Sequence, residues 1–525
     1  MAYLTLTTLP LLLLSCCNIL TANSKGILGS EPAPLRVCSD AVQEVTVNLT
    51  TSLHELDRKY LSIAMSPRRV KNKYEGAQKL INLAVALAPA DARVGGTAVN
   101  FMTFIPPASN AHTDQQSPVL EASNIDFPGE EPESFSFTGE EWESFNTFLT
   151  KANWDLLYDL NNFNWKADRS WDTTNAQQLL KYSAAKGIKI PYLQIGNEPS
   201  AYPHKYNLNI TAKVLVDNYK TLKKLLSKFP LYKSTQLCGP DVSNIGVSRN
   251  AKEYLQGFVS NGAYNVVDAL SVHFYYVNGA TATINEFLSV EILDTLKTML
   301  DTAVGIINSS PKPLPLQLTE TASAYGGGAP GLSDTYASGF LWLDKLGLAA
   351  KYRVSRVFRQ DLNGGAYGIL DGDSDPRPDY FLSLVFKKLI EGPVFDVSLK
   401  EVNKNLRVYA NCATKDAYPS GALVVYFVNL ADTDAVISLP QYQNADLDLY
   451  LLTSGDRKKL TSSSVKLNGD VLEMSGDDLP TIKPLSHKGD VTVEAHSFGF
   501  IVVPSAKVAL CMNYFSNVGL ADMRQ

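Results

Sequence analysis

What this 525-residue sequence has little of narrows its chemistry first. It holds six His and six Cys and no Cys-x-x-Cys pair, so a zinc site has little to build on, and neither metal nor cofactor is expected. No Gly-x-Gly-x-x-Gly and no phosphate loop appears, which counts against a nucleotide-binding open sheet. Apolar runs fall far short of the ~20 residues of a membrane span. Neither charge sign dominates, the formal net charge being −6, so nothing draws nucleic acid or any other polyanion globally, and such binding needs a local basic cleft. The rest, 45% hydrophobic and 19% charged, is ordinary globular composition, long enough for one large domain and a smaller one.

The first 22 positions carry no charged residue. An apolar core at 9–14, followed by small and polar residues to Leu20-Thr21-Ala22, reads as a signal peptide over 1–22 and a secreted mature chain. Asn48-Leu49-Thr50, Asn209-Ile210-Thr211 and Asn308-Ser309-Ser310 are glycosylation acceptors compatible with that route. Cys16 and Cys17 leave with the signal. Of Cys38, Cys238, Cys412 and Cys511, the expected pair is Cys412 with Cys511, each of which follows an alternating strand-like run (406–410 and 506–510).

From about 45 to 389, short apolar runs alternate with helical patterns. The strand-like runs include Ala92-Arg93-Val94-Gly95-Gly96, Trp154 to Leu160, Pro191-Tyr192-Leu193-Gln194-Ile195 and Leu314-Pro315-Leu316-Gln317-Leu318, with amphipathic stretches at 212–229 and 292–307 between them. This rhythm predicts an α/β fold, a (β/α)8 TIM barrel over 47–391. After 392 the helical period stops, and alternating runs at 423–429, 447–452, 464–467, 491–494 and 498–503 predict a C-terminal β-sandwich over 392–525. The segment 23–46 is expected to add a strand to it. Residues 106–143, with Pro106-Pro107 and the acidic groups Glu130-Glu131 and Glu140-Glu141, read as a loop on the barrel's C-terminal face.

Two carboxylates stand where chemistry is expected. In Ile195-Gly196-Asn197-Glu198-Pro199 a strand-like run ends in Glu198, which the following Pro is expected to hold extended. In Gln317-Leu318-Thr319-Glu320-Thr321 a second run ends in Glu320, followed by a triple glycine at 326–328 that lets backbone approach a ligand. Paired strand-end glutamates supply a proton donor and a nucleophile for glycoside hydrolysis, about 5–5.5 Å apart if configuration is retained. Glu198 is then expected to keep its proton through a raised pKa while donors keep Glu320 ionised. Either glutamate alone reads more readily as a buried salt-bridge or capping carboxylate.

Gly196-Asn197-Glu198-Pro199, Gly239-Pro240-Asp241-Val242, Tyr275-Tyr276-Val277-Asn278-Gly279 and the run from Glu320 through Pro330 into Leu341-Trp342-Leu343-Asp344-Lys345 make the chain resemble the heparanase family, glycoside hydrolase family 79, over nearly its whole length. The resemblance implies a retaining endo-β-glucuronidase with Glu198 as acid/base and Glu320 as nucleophile. Its implied sugar contacts are Asp57, Thr97, Asn197, His273, Tyr275, Tyr325, Gly326, Gln360 and Tyr367. Implied partners are glycosaminoglycan chains, heparan sulfate first and hyaluronan second, for a monomeric enzyme of the extracellular matrix or lysosome. An exo-acting enzyme and a catalytically silent glycosaminoglycan-binding homologue are the other readings.

Three departures from the family pattern stand out. Leu318-Thr319 precedes Glu320 where the family has Gly, the stretch 97–160 is short enough to predict a single-chain enzyme without internal processing, and basic segments are thin. Arg68, Arg69, Lys71 and Lys73, or Lys220, Lys223, Lys224 and Lys228, are the substitutes, though such clusters are more often solvated helix faces.

Overall fold

The computed structural model describes residues 42–522 except 73, 75, 108–133 and 457–458. The signal segment, Cys38, Lys73 and most of the 106–143 stretch therefore lie outside the described residues.

Eight parallel strands close into a barrel in chain order: β1 (Leu61–Met65), β2 (Ala90–Val94), β3 (Trp154–Leu160), β4 (Tyr192–Ile195), β5 (Gln236–Val242), β6 (Ala269–Asn278), β7 (Leu316–Tyr325) and β8 (Val354–Gln360). Strands closed on themselves and jacketed by helices are buried on both faces, which is why they read as near-continuous apolar runs. Helices Ala212–Leu226 and Val290–Asn308 are the two amphipathic stretches anticipated from the sequence, each turning its apolar stripe to the barrel.

Inside the barrel the side chains form layers. Ala64, Leu157 and Phe358 make a small apolar plug at mid-height. Below it the N-terminal mouth is closed by ion pairs: Arg356 holds Asp57 at 2.8 Å and Asp91 at 2.9 Å, and Lys59 holds Asp91 and Asp155. Above it the lumen is polar, and that layer is the site.

The last quarter of the chain forms a 12-stranded sheet folded over its own core of Val45, Phe395, Val425, Ile437 and Ile501. The strand Val42–Asn48 lies between Ile390–Leu399, antiparallel, and Ala435–Ser438, parallel. His54–Leu56 also joins this sheet, so the sheet takes the chain up to Leu56 and the barrel begins at Leu61, later than the expected start at 47.

Helix Ser338–Lys351 is wedged between barrel and sheet and is buried on nearly every side. Gly347 and Gly339 allow it that close: a methyl group at either would strike the ring of Tyr409 or Phe498.

Cys412 and Cys511 are bonded, with Cα atoms 5.6 Å apart. The strand expected over 506–510 is not there, because Cys511 lies in the first turn of the helix Ala509–Asp522. The run 506–510 alternates too briefly to outweigh the helical pattern beyond it. Cys238 is free and buried.

The loop expected over 106–143 also ends early. Phe135–Thr138 is a strand, and Gly139–Ala152 is a helix with a capping box in which Thr138 accepts from the Glu141 amide and Glu141 accepts from the Thr138 amide. Glu140 and Glu141 lie in its first turn, where carboxylates are favoured by the helix dipole.

Candidate active site

Glu198 follows β4 and Glu320 lies on β7, and both reach the C-terminal mouth of the barrel. Local irregularity aims them. Along β7 the register with both neighbours slips by one residue at Thr319, so Thr319 and Glu320 form a bulge and both contact the lumen, which regular pleating forbids. Thr319, standing where the family pattern has Gly, uses its place: its hydroxyl donates to Asp241 Oδ1 at 2.6 Å. Asp241 is itself the extra residue of a slip in β5 and sits at φ +62°. Glu198 is not extended as expected but left-handed at φ 54°, ψ 54°, with Pro199 starting a short 3-10 turn. Proline disfavours the right-handed helical region for the residue before it, and here the left-handed region is taken instead. Strain of that kind is characteristic of functional positions.

Arg93 on β2 is the hub of the lumen. Fully buried, it donates to Gln194 at 3.0 Å, Asn197 at 3.0 Å and Glu320 Oε2 at 3.1 Å, and it also bonds Asp241. Tyr275 donates its hydroxyl to Glu320 Oε1 at 2.7 Å, so each oxygen of Glu320 has a strong donor. Gly96 keeps the space beside Oε2 open; a Cβ there would lie 3.9 Å from it.

His273 joins the two glutamates. Its Nδ1 is 3.3 Å from Glu198 Oε1 and 4.0 Å from Glu320 Oε2, while Nε2 is 3.0 Å from Asp241 Oδ1. The two carboxylate oxygens are thus at most about 7 Å apart, a bound that admits the separation of about 5–5.5 Å in retaining glycosidases.

Burial alone would lower the pKa of His273, but the charges of Asp241 and Glu320 raise it to about 10, so the ring is a cation. For Glu198, burial would raise the pKa, and the hydrogen bond and charge of His273, then Lys205 at 3.1 Å, overcome it and bring it down to about 2. Glu198 is therefore ionised here, opposite to the expectation of a raised pKa, because two cations outweigh its burial. Below them, burial and the charge of Asp241 push Asp159 up, whereas Arg93 and His273 overcome burial at Asp241 and pull it down.

Thr97, Gln360 and Tyr367 line a cavity of about 510 Å³ with Ser66, Arg69 and Gly96. Gln360 donates to the Tyr367 hydroxyl at 3.3 Å, and the Tyr367 ring stacks near Tyr275 at 6.4 Å. Tyr325, half exposed, and Gly326 begin a rim loop whose three glycines have φ of 78°, 90° and 86°, and Gly327 accepts from the Ala366 and Tyr367 amides.

Of the nine implied contact residues, Asn197, His273 and Tyr275 lie in the network around the glutamates, Thr97, Gln360 and Tyr367 line the adjoining cavity, and Tyr325 and Gly326 stand on the rim loop. Asp57 is in none of these places. It precedes β1 and is paired to Arg356 at the opposite end of the barrel, too early in the chain to sit at a strand's C-terminal end. Sequence reasoning missed Arg93, Gln194, Asp241 and Lys205. A buried charged residue inside a strand run, as in Ala92-Arg93-Val94, was the available signal for the first. Among the described residues no group of His, Cys, Asp and Glu is arranged to hold a metal ion.

A closed (β/α)8 barrel carrying a sheet domain, with two carboxylates converging at the barrel mouth, defines the class: a glycoside hydrolase. Its fold is similar to that of a 4-O-α-L-rhamnosyl-β-D-glucuronidase from Fusarium oxysporum, with TM-score 0.60 and 16% identity over 87% of this chain and 99% of that one. The chain belongs to glycosyl hydrolase family 79, whose N-terminal domain model matches residues 75–347. Within the family it is heparanase-like, 35% identical to heparanase of Bos taurus over 83% of this chain and 86% of that protein. It is also 34% identical to hyaluronoglucuronidase of Hirudo nipponia over 82% of this chain and 90% of that protein.

Proposed function

We propose that the chain is a secreted, retaining endo-β-glucuronidase that cleaves internal glucuronide bonds of glycosaminoglycans, heparan sulfate foremost. Glu320 attacks the anomeric carbon, and Glu198 protonates the leaving oxygen, then takes a proton from the water that releases the sugar. The observation that carries this reading is the shared contact of both carboxylates with His273, with Arg93 and Tyr275 each donating to one oxygen of Glu320 and holding it in place. Thr97, Asn197, Gln360, Tyr367 and the backbone at Gly326 are the sugar-binding groups, offering hydroxyls, amides and N–H donors that suit hydroxyls and a uronate without a full cation.

Hyaluronan is the second substrate reading. It is supported by the near-equal similarity to a hyaluronoglucuronidase and by a net charge of −6, which lends no general attraction for a densely sulfated chain. Digestion of size-defined heparan sulfate and hyaluronan oligomers, followed by mass spectrometry, decides. Cleavage of hyaluronan alone rejects the leading substrate, and release of single terminal uronates rejects endo action.

Export is supported by the apolar leader and by the disulfide, while Asn48, Asn209 and Asn308 are all exposed as acceptors require. Among the described residues no helix is long and apolar enough to cross a membrane.

A further inference from the structure

A general acid must carry a proton when the glycosidic bond breaks, yet both oxygens of Glu198 are held by cations. His273 takes Oε1 and Lys205 takes Oε2. The two cations differ in freedom. His273 is 1% exposed and tied behind to Asp241, so it stays. Lys205 belongs to the short helix Tyr202–Tyr206 just beyond the turn that holds the acid, and its side chain is 45% exposed. Its ammonium is a compact point charge on a flexible stem, free to change partners.

The sides of the cleft differ as well. Thr97, Gln360, Tyr367 and Gly327 line one cavity with Gly96, which lies beside Glu320 Oε2, so on the reading that Glu320 is the nucleophile this is the side for the sugar under attack. Lys205 bonds Glu198 Oε2 at 3.1 Å, so on the reading that Glu198 protonates the leaving oxygen its ammonium borders the place of the departing sugar. The groups facing the pair are His273 from β6, Glu320 from β7 and Tyr206 from the same helix, with Asp241 of β5 acting through His273.

We propose that Lys205 is a positioning residue that clasps Glu198 and is drawn off it by an anionic group on the leaving-group side of a bound chain, so that substrate binding itself frees the acid. The proposal rests on Glu198 being the acid. A solvent proton occupies the oxygen that Lys205 vacates. That proton passes to the leaving oxygen as its bond to the anomeric carbon breaks and the Glu320 ester forms, so charge and atoms balance. An uncharged leaving group leaves the clasp closed and is cut slowly, which makes Lys205 a reader of polyanionic chains without an extended basic cleft.

The test uses the full-length protein and two tetrasaccharides with the same glucuronide bond, with and without a 6-sulfate on the leaving-side glucosamine. kcat/KM is followed against pH for wild type, Lys205→Met and Lys205→Arg. Wild type should favour the sulfated sugar about tenfold near neutral pH, one pKa unit corresponding to a factor of ten. In Lys205→Met that preference should collapse, and the alkaline limb for the unsulfated sugar should move up by about one pH unit, the low end expected for losing a partly exposed counter-charge. Lys205→Arg should restore both. A merely structural role would slow both sugars alike and leave the limb in place. Wild-type turnover with ratio and limb unchanged in Lys205→Met overturns this inference alone; wild type that cleaves neither sugar overturns the heparan sulfate reading and this inference with it.

Discussion

Arg93 and Glu320 meet at 3.1 Å although 227 positions separate them, and the guanidinium that holds the glutamate also bonds Asp241, Asn197 and Gln194. One buried cation therefore organises residues from β2, β4, β5 and β7. Removing it leaves at least two anions buried without their partner, and breaking such an arrangement costs about 3–5 kcal/mol. Arg93→Met should lower unfolding stability by that amount in a urea titration, together with activity. A variant as stable as wild type would show that the anions find other partners.

Glu320→Gln keeps the size of the side chain and its acceptor for Tyr275 but removes the nucleophile. Turnover of any glycosaminoglycan should fall by about four orders of magnitude or more, in the manner of nucleophile knockouts elsewhere. Binding of oligosaccharide, read by calorimetry, should persist. Undiminished turnover would remove Glu320 from the chemistry, whereas absence of turnover in the wild type itself would revive the silent-homologue reading.

Tyr275→Phe deletes one donor to Glu320 and little else. A hydrogen bond to a charged group is worth about 1.5–3 kcal/mol, so kcat/KM should drop about 10–150-fold while melting temperature changes little. A large loss of stability would instead give Tyr275 a packing role.

The ion pair of His273 with its carboxylates ties stability to pH, with opposite signs at its two ends. Glu198 has its folded pKa lowered to about 2 from 4.5, so its contribution is complete above about 4.5 and fades as pH falls towards 2. His273 has its folded pKa raised to about 10 from 6.5, so its contribution is complete below about 6.5 and fades as pH rises towards 10. The stability gap between wild type and His273→Gln, from denaturant unfolding at successive pH values, should therefore be widest between about 4.5 and 6.5. A gap that grows above pH 8 would contradict a protonated ring.

The Cys412–Cys511 bridge spans 99 positions and ties the final helix to the sheet. Replacing both cysteines by alanine should cost about 2–5 kcal/mol in unfolding experiments and leave the oligosaccharide KM unchanged, because the bridge lies far from the barrel mouth.

Much of this was legible in the chain. The run Trp154–Leu160 appears in the structure with the bounds its apolar pattern suggests, and Leu423–Asn429 likewise, since strands buried on both faces advertise themselves in composition. Glu198 and Glu320 were visible because each ends such a run. Asp57 was misplaced because a short motif match carries no information about which end of the barrel a residue occupies. The run 506–510 was misread because five alternating residues fit a strand as well as the approach to a helix.

By itself, then, the sequence determined the barrel, the sheet that follows it and the two carboxylates at strand ends, all of which depend on local periodicity and on residues close together in the chain. Only the tertiary structure decided which charges face one another: the one-residue slips at Asp241 and Thr319, the hub at Arg93, the protonated His273 and the clasp of Lys205 on Glu198. The physical reason is range. Propensity and burial pattern act within a few residues, whereas a pKa is set by every charge within several ångströms, whatever its distance along the chain.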